Sequence, residues 1–141
     1  MSLNTYLYFD GNCAQAFEFY KSVFGGAFTA HMCFSDAPPD LNFKKADNDR
    51  TMHVSLPVGD SVLMGSDVPS GEDEPPKSNN SFAVSYSAKT REEADAIYAA
   101  LKADGGEETM PLQDTFWGSY FGMCKDKFGV HWMLNHDLNA K

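Results

Sequence analysis

Residues 116–137 read FWGSYFGMCKDKFGVHWMLNHD, and their alternation decides the fold. Trp117 to Cys124 is aromatic and β-prone, Lys125 to Gly129 supplies turn residues, and Val130 to Asn135 extends again. The pattern predicts two short strands running back antiparallel over each other. In the second strand Trp132 and Leu134 share one face, while His131, Met133 and Asn135 share the other. The first face suits packing on a helix. The second is mixed, polar and aromatic, like the floor of a small-molecule cavity, although an ordinary amphipathic hairpin reads the same way.

Working outward, the same strand-and-helix grammar occurs twice. Leu3 to Phe9 is β-prone, with Tyr6 and Tyr8 on one face and Thr5, Leu7 and Phe9 on the other. Asp10-Gly11-Asn12 breaks it, with Asn12 as a helix N-cap. Cys13, Ala16, Phe17, Tyr20, Val23 and Phe24 then form one helical stripe that Gly25-Gly26 ends. Ala27 to Ser35 alternates as a strand, Asp36 to Arg50 reads as a loop, and Thr51–Pro57 with Ser61–Met64 forms a hairpin around Gly59-Asp60. That turn places Val58 opposite Ser61 and Ser55 opposite Met64, with His53 on the face of Ser55 and Met64.

Residues 66–80, SDVPSGEDEPPKSNN, are a linker: Pro-rich, acidic and without period. Beyond it Ser81 to Ser87 alternates again, and Thr90 with Glu93 forms a capping box. A helix near 91–103 follows, with Ala94, Ile97, Tyr98 and Leu101 on its buried stripe. Glu107 to Asp114 is a further strand, and the hairpin closes the pattern. The expected architecture is one α+β domain of two βαβββ modules, 1–65 and 81–137 around the linker 66–80, whose sheets face each other and enclose a cleft, with the helices outside.

Composition restricts function. The 141 residues carry 20 acidic and 11 basic side chains, a formal net charge of -9, which opposes binding to nucleic acid or an anionic membrane. No apolar run approaches the ~18 residues of a transmembrane span, and the start shows no basic-then-apolar leader. The three cysteines, Cys13, Cys33 and Cys124, are scattered and show no C-x-x-C, which suits free thiols in a cytoplasmic protein. There is no G-x-S-x-G, Walker or H-E-x-x-H motif, and Asp10-Gly11-Asn12 has one glycine where a dinucleotide turn needs three. Cys13 sits near a helix start but on the apolar stripe, so it reads as a buried structural thiol.

Three stretches carry a resemblance: FDGNCAQAFEFYKSVFGG at 9–26, GDSVLMGSD at 59–67 and WGSYFGMCKDKFGVHWMLN at 117–135. With the doubled βαβββ order, they resemble the PhnB-like branch of the glyoxalase/bleomycin resistance/dihydroxybiphenyl dioxygenase superfamily, the vicinal oxygen chelate fold, over nearly the whole chain. The resemblance implies cup-shaped mixed sheets, a cytoplasmic homodimer and a cavity inside each cup. It also implies divalent-metal positions, which fall on Thr5, Met64, Ser81 and Met133. These four are poor donors for a hard or borderline cation, so the usual metal site is expected to be absent and no cofactor is expected. A relocated metal would have to use His53 and His131, with Cys124 as a third donor. Nothing in the chain resembles an S-adenosylmethionine loop.

The expected function is therefore metal-free binding of a small apolar or aromatic ligand. Its lining would be Thr5, His53, Met64, Ser81, Trp117, Tyr120, His131, Met133 and Asn135. The alternatives are a lyase, isomerase or dioxygenase with a relocated metal, and a structural or regulatory dimer. Whether the chain is an enzyme is left open by the sequence.

Overall fold

The fold is that of a computed structural model, which describes residues 1–71 and 74–140. The chain divides into two compact units, Met1–Pro76 and Lys77–Lys141. Among the described residues each unit holds one α-helix and one four-stranded sheet.

Unit 1 comprises β1 (Thr5–Phe9), α1 (Cys13–Phe24), β2 (Ala30–Cys33), β3 (Thr51–Val58) and β4 (Ser61–Asp67). Its sheet order is β1-β4-β3-β2; β1 runs parallel to β4 and the other neighbours are antiparallel. The register pairs Val58 with Ser61 and Ser55 with Met64, the parity that a Gly59-Asp60 turn dictates. One sheet face is covered by α1: Leu7, Phe9, Val54, Leu56 and Leu63 are buried, as are Ala16, Phe17 and Tyr20 of the helix. Gly65 is required beneath Phe17, because a Cβ there would lie 2.6 Å from Phe17 Cε1 and 2.9 Å from the Leu7 carbonyl oxygen.

The start of α1 is capped from a distance. Asn12 occupies the N-cap position, but its side chain makes no capping bond. Instead Asp67 Oδ1 accepts from the backbone N–H of Gly11 at 2.8 Å and of Cys13 at 3.0 Å, while Oδ2 accepts from Thr51 N–H at 2.8 Å. A carboxylate against the positive end of a helix is favourable electrostatically as well as through its hydrogen bonds. The linker expected over 66–80 therefore begins later, since Ser66 and the 3 % exposed Asp67 finish β4; residues 72 and 73 lie outside the described residues.

The Pro- and Asp-rich stretch before β3 is less open than a plain loop. It winds through short 3-10 turns at Phe34–Asp36, Pro39–Leu41 and Lys45–Asp47. Asp47 is buried, accepts from Ser70 N–H at 3.1 Å, and lies 3.4 Å from Arg50 Nε. Hydrogen bonding with the Ser70 side chain, more than with its backbone N–H, holds the Asp47 carboxyl below the usual range. Arg50 also bonds Asp10 and the Val68 carbonyl, so one guanidinium ties the stretch to the residues that follow β1 and β4 at one end of the sheet.

Unit 2 repeats the order with β5 (Val84–Ser87), α2 (Arg91–Leu101), β6 (Glu107–Asp114), β7 (Ser119–Lys125) and β8 (His131–Asp137). Its sheet order is β5-β8-β7-β6, with β5 parallel to β8. Ala94, Ile97, Tyr98 and Leu101 are buried, together with Cys124, Trp132 and Leu134 of the sheet. Thr90 caps α2 by accepting from Glu93 N–H, but the Glu93 carboxylate accepts from the Tyr86 hydroxyl rather than reaching back, so half of the expected capping box forms. Asp126 organises the β7–β8 turn: Oδ1 accepts from Phe128 and Val130 N–H, and Oδ2 accepts from Trp132 Nε1 at 2.9 Å. The predicted hairpin and both helices are observed, and the two central strands of each sheet run antiparallel.

Candidate functional site

Each helix covers one side of its sheet, so a ligand-facing surface has to be sought on the other. In unit 1 that side carries Tyr6, which pairs with Met64 across β1 and β4. Met64 pairs with Ser55. His53 pairs with Met32. The Tyr6 hydroxyl lies 3.1 Å from His53 Nδ1 and the two rings stack with centroids 5.7 Å apart. Tyr8 stands 5.3 Å from Tyr6 and is 61 % exposed.

Thr5 is not on this surface. It pairs with Leu63 and shares the parity of buried Leu7 and Phe9, which places it on the side of α1, opposite Met64 and His53. Tyr6 stands where Thr5 was expected. The alternation already held the signal: Leu7 and Phe9 belong to the core, so residue 5 must go with them.

In unit 2 the open side carries Met133, paired with Ser85 and Met123, and Asn135, paired with Ser87 and Phe121. His131 lies on the same side, opposite Lys125. Ser119 Oγ donates to Asn135 Oδ1. Trp117, 57 % exposed, sits edge-on to Phe121 with centroids 5.8 Å apart. Trp117, Phe121, Met133 and Asn135 thus form an aromatic and amide surface.

Two expected lining residues fall elsewhere. Tyr120 pairs with His136 and shares the parity of Gly122 and Cys124, so it faces α2, where its hydroxyl bonds Asp95 and Arg91 lies over its ring. The bond to Asp95 raises its pKa. Ser81 precedes β5, is exposed and bonds Asn79, because the strand begins at Val84; the β5 residue beside Met133 is Ser85. Phe121 was missed, although registering the hairpin places it opposite Asn135.

The donor chemistry can be tested against the metal that the fold implies. Hydroxyl and thioether side chains at Thr5, Met64, Ser81 and Met133 do not make a set for a hard or borderline cation, and Thr5 and Met64 lie on opposite faces of one sheet. Replacing Thr5 by Tyr6 and Ser81 by Ser85 adds only hydroxyls. Among the described residues no group of three or more His, Cys, Asp or Glu is placed to hold an ion. Cys124 is buried in the helix-facing core of unit 2, where burial pushes its thiol up to about 12, so it does not share the side of His131. Cys13 is likewise 0 % exposed and raised to about 12 by burial, then by Asp67, which fits a structural thiol.

Residues 2–134 match the glyoxalase/bleomycin resistance protein/dioxygenase superfamily. The chain belongs to that superfamily. Within it, the chain is 31 % identical to protein YjdN of Escherichia coli (strain K12), covering 96 % of this chain and 95 % of the relative. Protein PA1353 from Pseudomonas aeruginosa is 36 % identical, with a TM-score of 0.85 over 97 % of this chain and 98 % of that one. A PhnB protein from Bacillus cereus shares the fold at a TM-score of 0.74 and 23 % identity, covering 96 % and 99 % of the two chains. The superfamily fold accounts for the doubled module and for helices confined to one side of each sheet.

Proposed function

We propose that this superfamily member is a PhnB-like small-molecule binding protein that takes a planar apolar or aromatic ligand without the usual superfamily metal. The observation that carries the reading is the character of the open sheet sides. Each combines aromatic bodies with hydrogen-bonding handles, Tyr6, Tyr8 and His53 in unit 1 and Trp117, Phe121 and Asn135 in unit 2. Such surfaces recognise flat ligands by stacking and fix their orientation through a few polar atoms. The weak donor set supports the metal-free part of the reading.

Fluorescence titration with 2-naphthol tests it. Quenching of the exposed Trp117 is expected, and loss of saturable quenching in Trp117→Phe assigns it, since Trp132 is 2 % exposed. A linear, non-saturating response in the native protein refutes the reading. Elemental analysis after purification without chelator, followed by titration with zinc, nickel and manganese, tests the metal-free part; stoichiometric tight binding would refute it. Self-association as a homodimer belongs to the same proposal, because each sheet leaves one face uncovered by its own helix. Light scattering should then report twice 15.6 kDa.

A further inference from the structure

Tyr6 and His53 meet on the open side of unit 1 in an arrangement that the core does not require. Their hydroxyl–Nδ1 distance is 3.1 Å and their rings stack at 25°. Tyr6 remains 38 % exposed. A hydrogen bond on so open a surface adds little to stability, yet it holds the orientation of the imidazole. The adjoining Met64, Met32 and Tyr8 bring no charge to the pair from the neighbouring strands.

We infer that this pair is a proton-transfer site, with His53 as general base and Tyr6 as the residue that positions it and donates to a developing oxyanion. When His53 Nδ1–H donates to the Tyr6 oxygen, Nε2 keeps its lone pair and the Tyr6 O–H is free to donate outward. A substrate with a C–H beside a carbonyl meets both needs. Nε2 takes the carbon-bound proton, the C–H electron pair becomes a C=C bond, and the carbonyl π pair moves to oxygen. The enolate oxygen accepts from Tyr6 O–H, and return of the proton from Nε2 to that oxygen gives the enol. Charge and electrons balance with no oxidant, reductant or metal. The neighbouring Tyr8 ring favours a flat aromatic body on the substrate, so the class is an aryl-substituted 2-oxo acid or ketone. This goes beyond ligand binding, since it assigns a reaction to one part of the surface.

Two measurements on the intact protein test the assignment. Nitrogen-15 NMR of the His53 ring should show the Nδ1–H tautomer, reverting to Nε2–H in Tyr6→Phe; an Nε2–H ring in the native protein overturns the inference. Phenylpyruvate is the reaction probe, its enol–keto interconversion followed by absorbance. The native protein should accelerate it, His53→Gln should lose about 100-fold or more, and Tyr6→Phe should likewise lose about 100-fold or more in kcat with KM nearly unchanged. Absence of acceleration by the native protein overturns the inference even where 2-naphthol binds. Acceleration without 2-naphthol binding would leave the inference standing and remove the binding proposal instead.

Discussion

The two units are built to the same order but are pinned differently. In unit 1 the Asp67 carboxylate joins the start of α1 and the start of β3, backbone groups far apart in sequence. In unit 2 the Asp126 carboxylate bonds Phe128, Val130 and Trp132, all within six residues of it. Both carboxylates are buried, and both accept three donors from the protein. The contrast teaches that one chemical device can serve long-range assembly in one half of a repeat and local turn formation in the other.

The largest test of this contrast is Asp67→Ala. It leaves three N–H groups without their acceptor, Cys13 and Thr51 among them being buried, and should lower stability by about 3–5 kcal/mol. Urea denaturation measures this, and Asp67→Asn should recover part of it. A loss as small as that of a surface substitution would remove Asp67 from its role.

Asp126→Ala comes next, at about 2–3 kcal/mol, because water can reach the turn amides while Trp132 Nε1 is stranded. The same denaturation series should rank it below Asp67→Ala. Near-ultraviolet circular dichroism should also report loosening of Trp132. The reverse ranking would break the distinction between long-range and local pinning.

Alkaline pH should affect both units alike, through one buried thiol in each. Cys13 and Cys124 are raised from 9.0 to about 12, chiefly by burial. Their contribution is complete below pH 9 and is lost as pH rises toward 12, since unfolded thiols ionise first and the unfolded chain then holds fewer protons. By pH 10.5 the loss should be about 2 kcal/mol per thiol. Melting temperatures measured between pH 8 and 11 should fall less steeply in Cys13→Ala and in Cys124→Ala than in the native protein.

The smallest effect on stability is expected from Trp117→Ala. Its ring is 57 % exposed, so the change should stay under about 1 kcal/mol while removing saturable 2-naphthol quenching. A larger loss would make Trp117 part of the unit 2 core rather than of its open surface.

What could be read in advance followed from alternation and turn chemistry. The Gly59-Asp60 turn fixed the pairing of Ser55 with Met64, and buried Trp132 and Leu134 oppose His131, Met133 and Asn135 as their spacing requires. The misplaced residues are those that strand parity did not place: Thr5 comes from the resemblance and Tyr120 from its position in the hairpin. Thr5 was set beside Met64 although Leu7 commits it to the helix side, and Tyr120 was grouped with Trp117 although its register belongs to Cys124. Asp67 was illegible for another reason. Within SDVPSGEDEPPKSNN it resembles every other linker acid, and its role depends on N–H groups of Gly11, Cys13 and Thr51 that only the folded sheet brings near.

The parallel pairing of the first strand with the last in each unit bears on synthesis. Thr5 pairs with Leu63, and Val84 with Trp132, so β1 and β5 gain their sheet neighbours only when the final strand of their unit is made. At about 5–20 residues per second, β1 waits several seconds on the ribosome beside a helix but without a strand partner. The backbone N–H and C=O groups of β1 that only β4 later pairs leave the nascent chain open in that interval to chaperones or to a neighbouring copy.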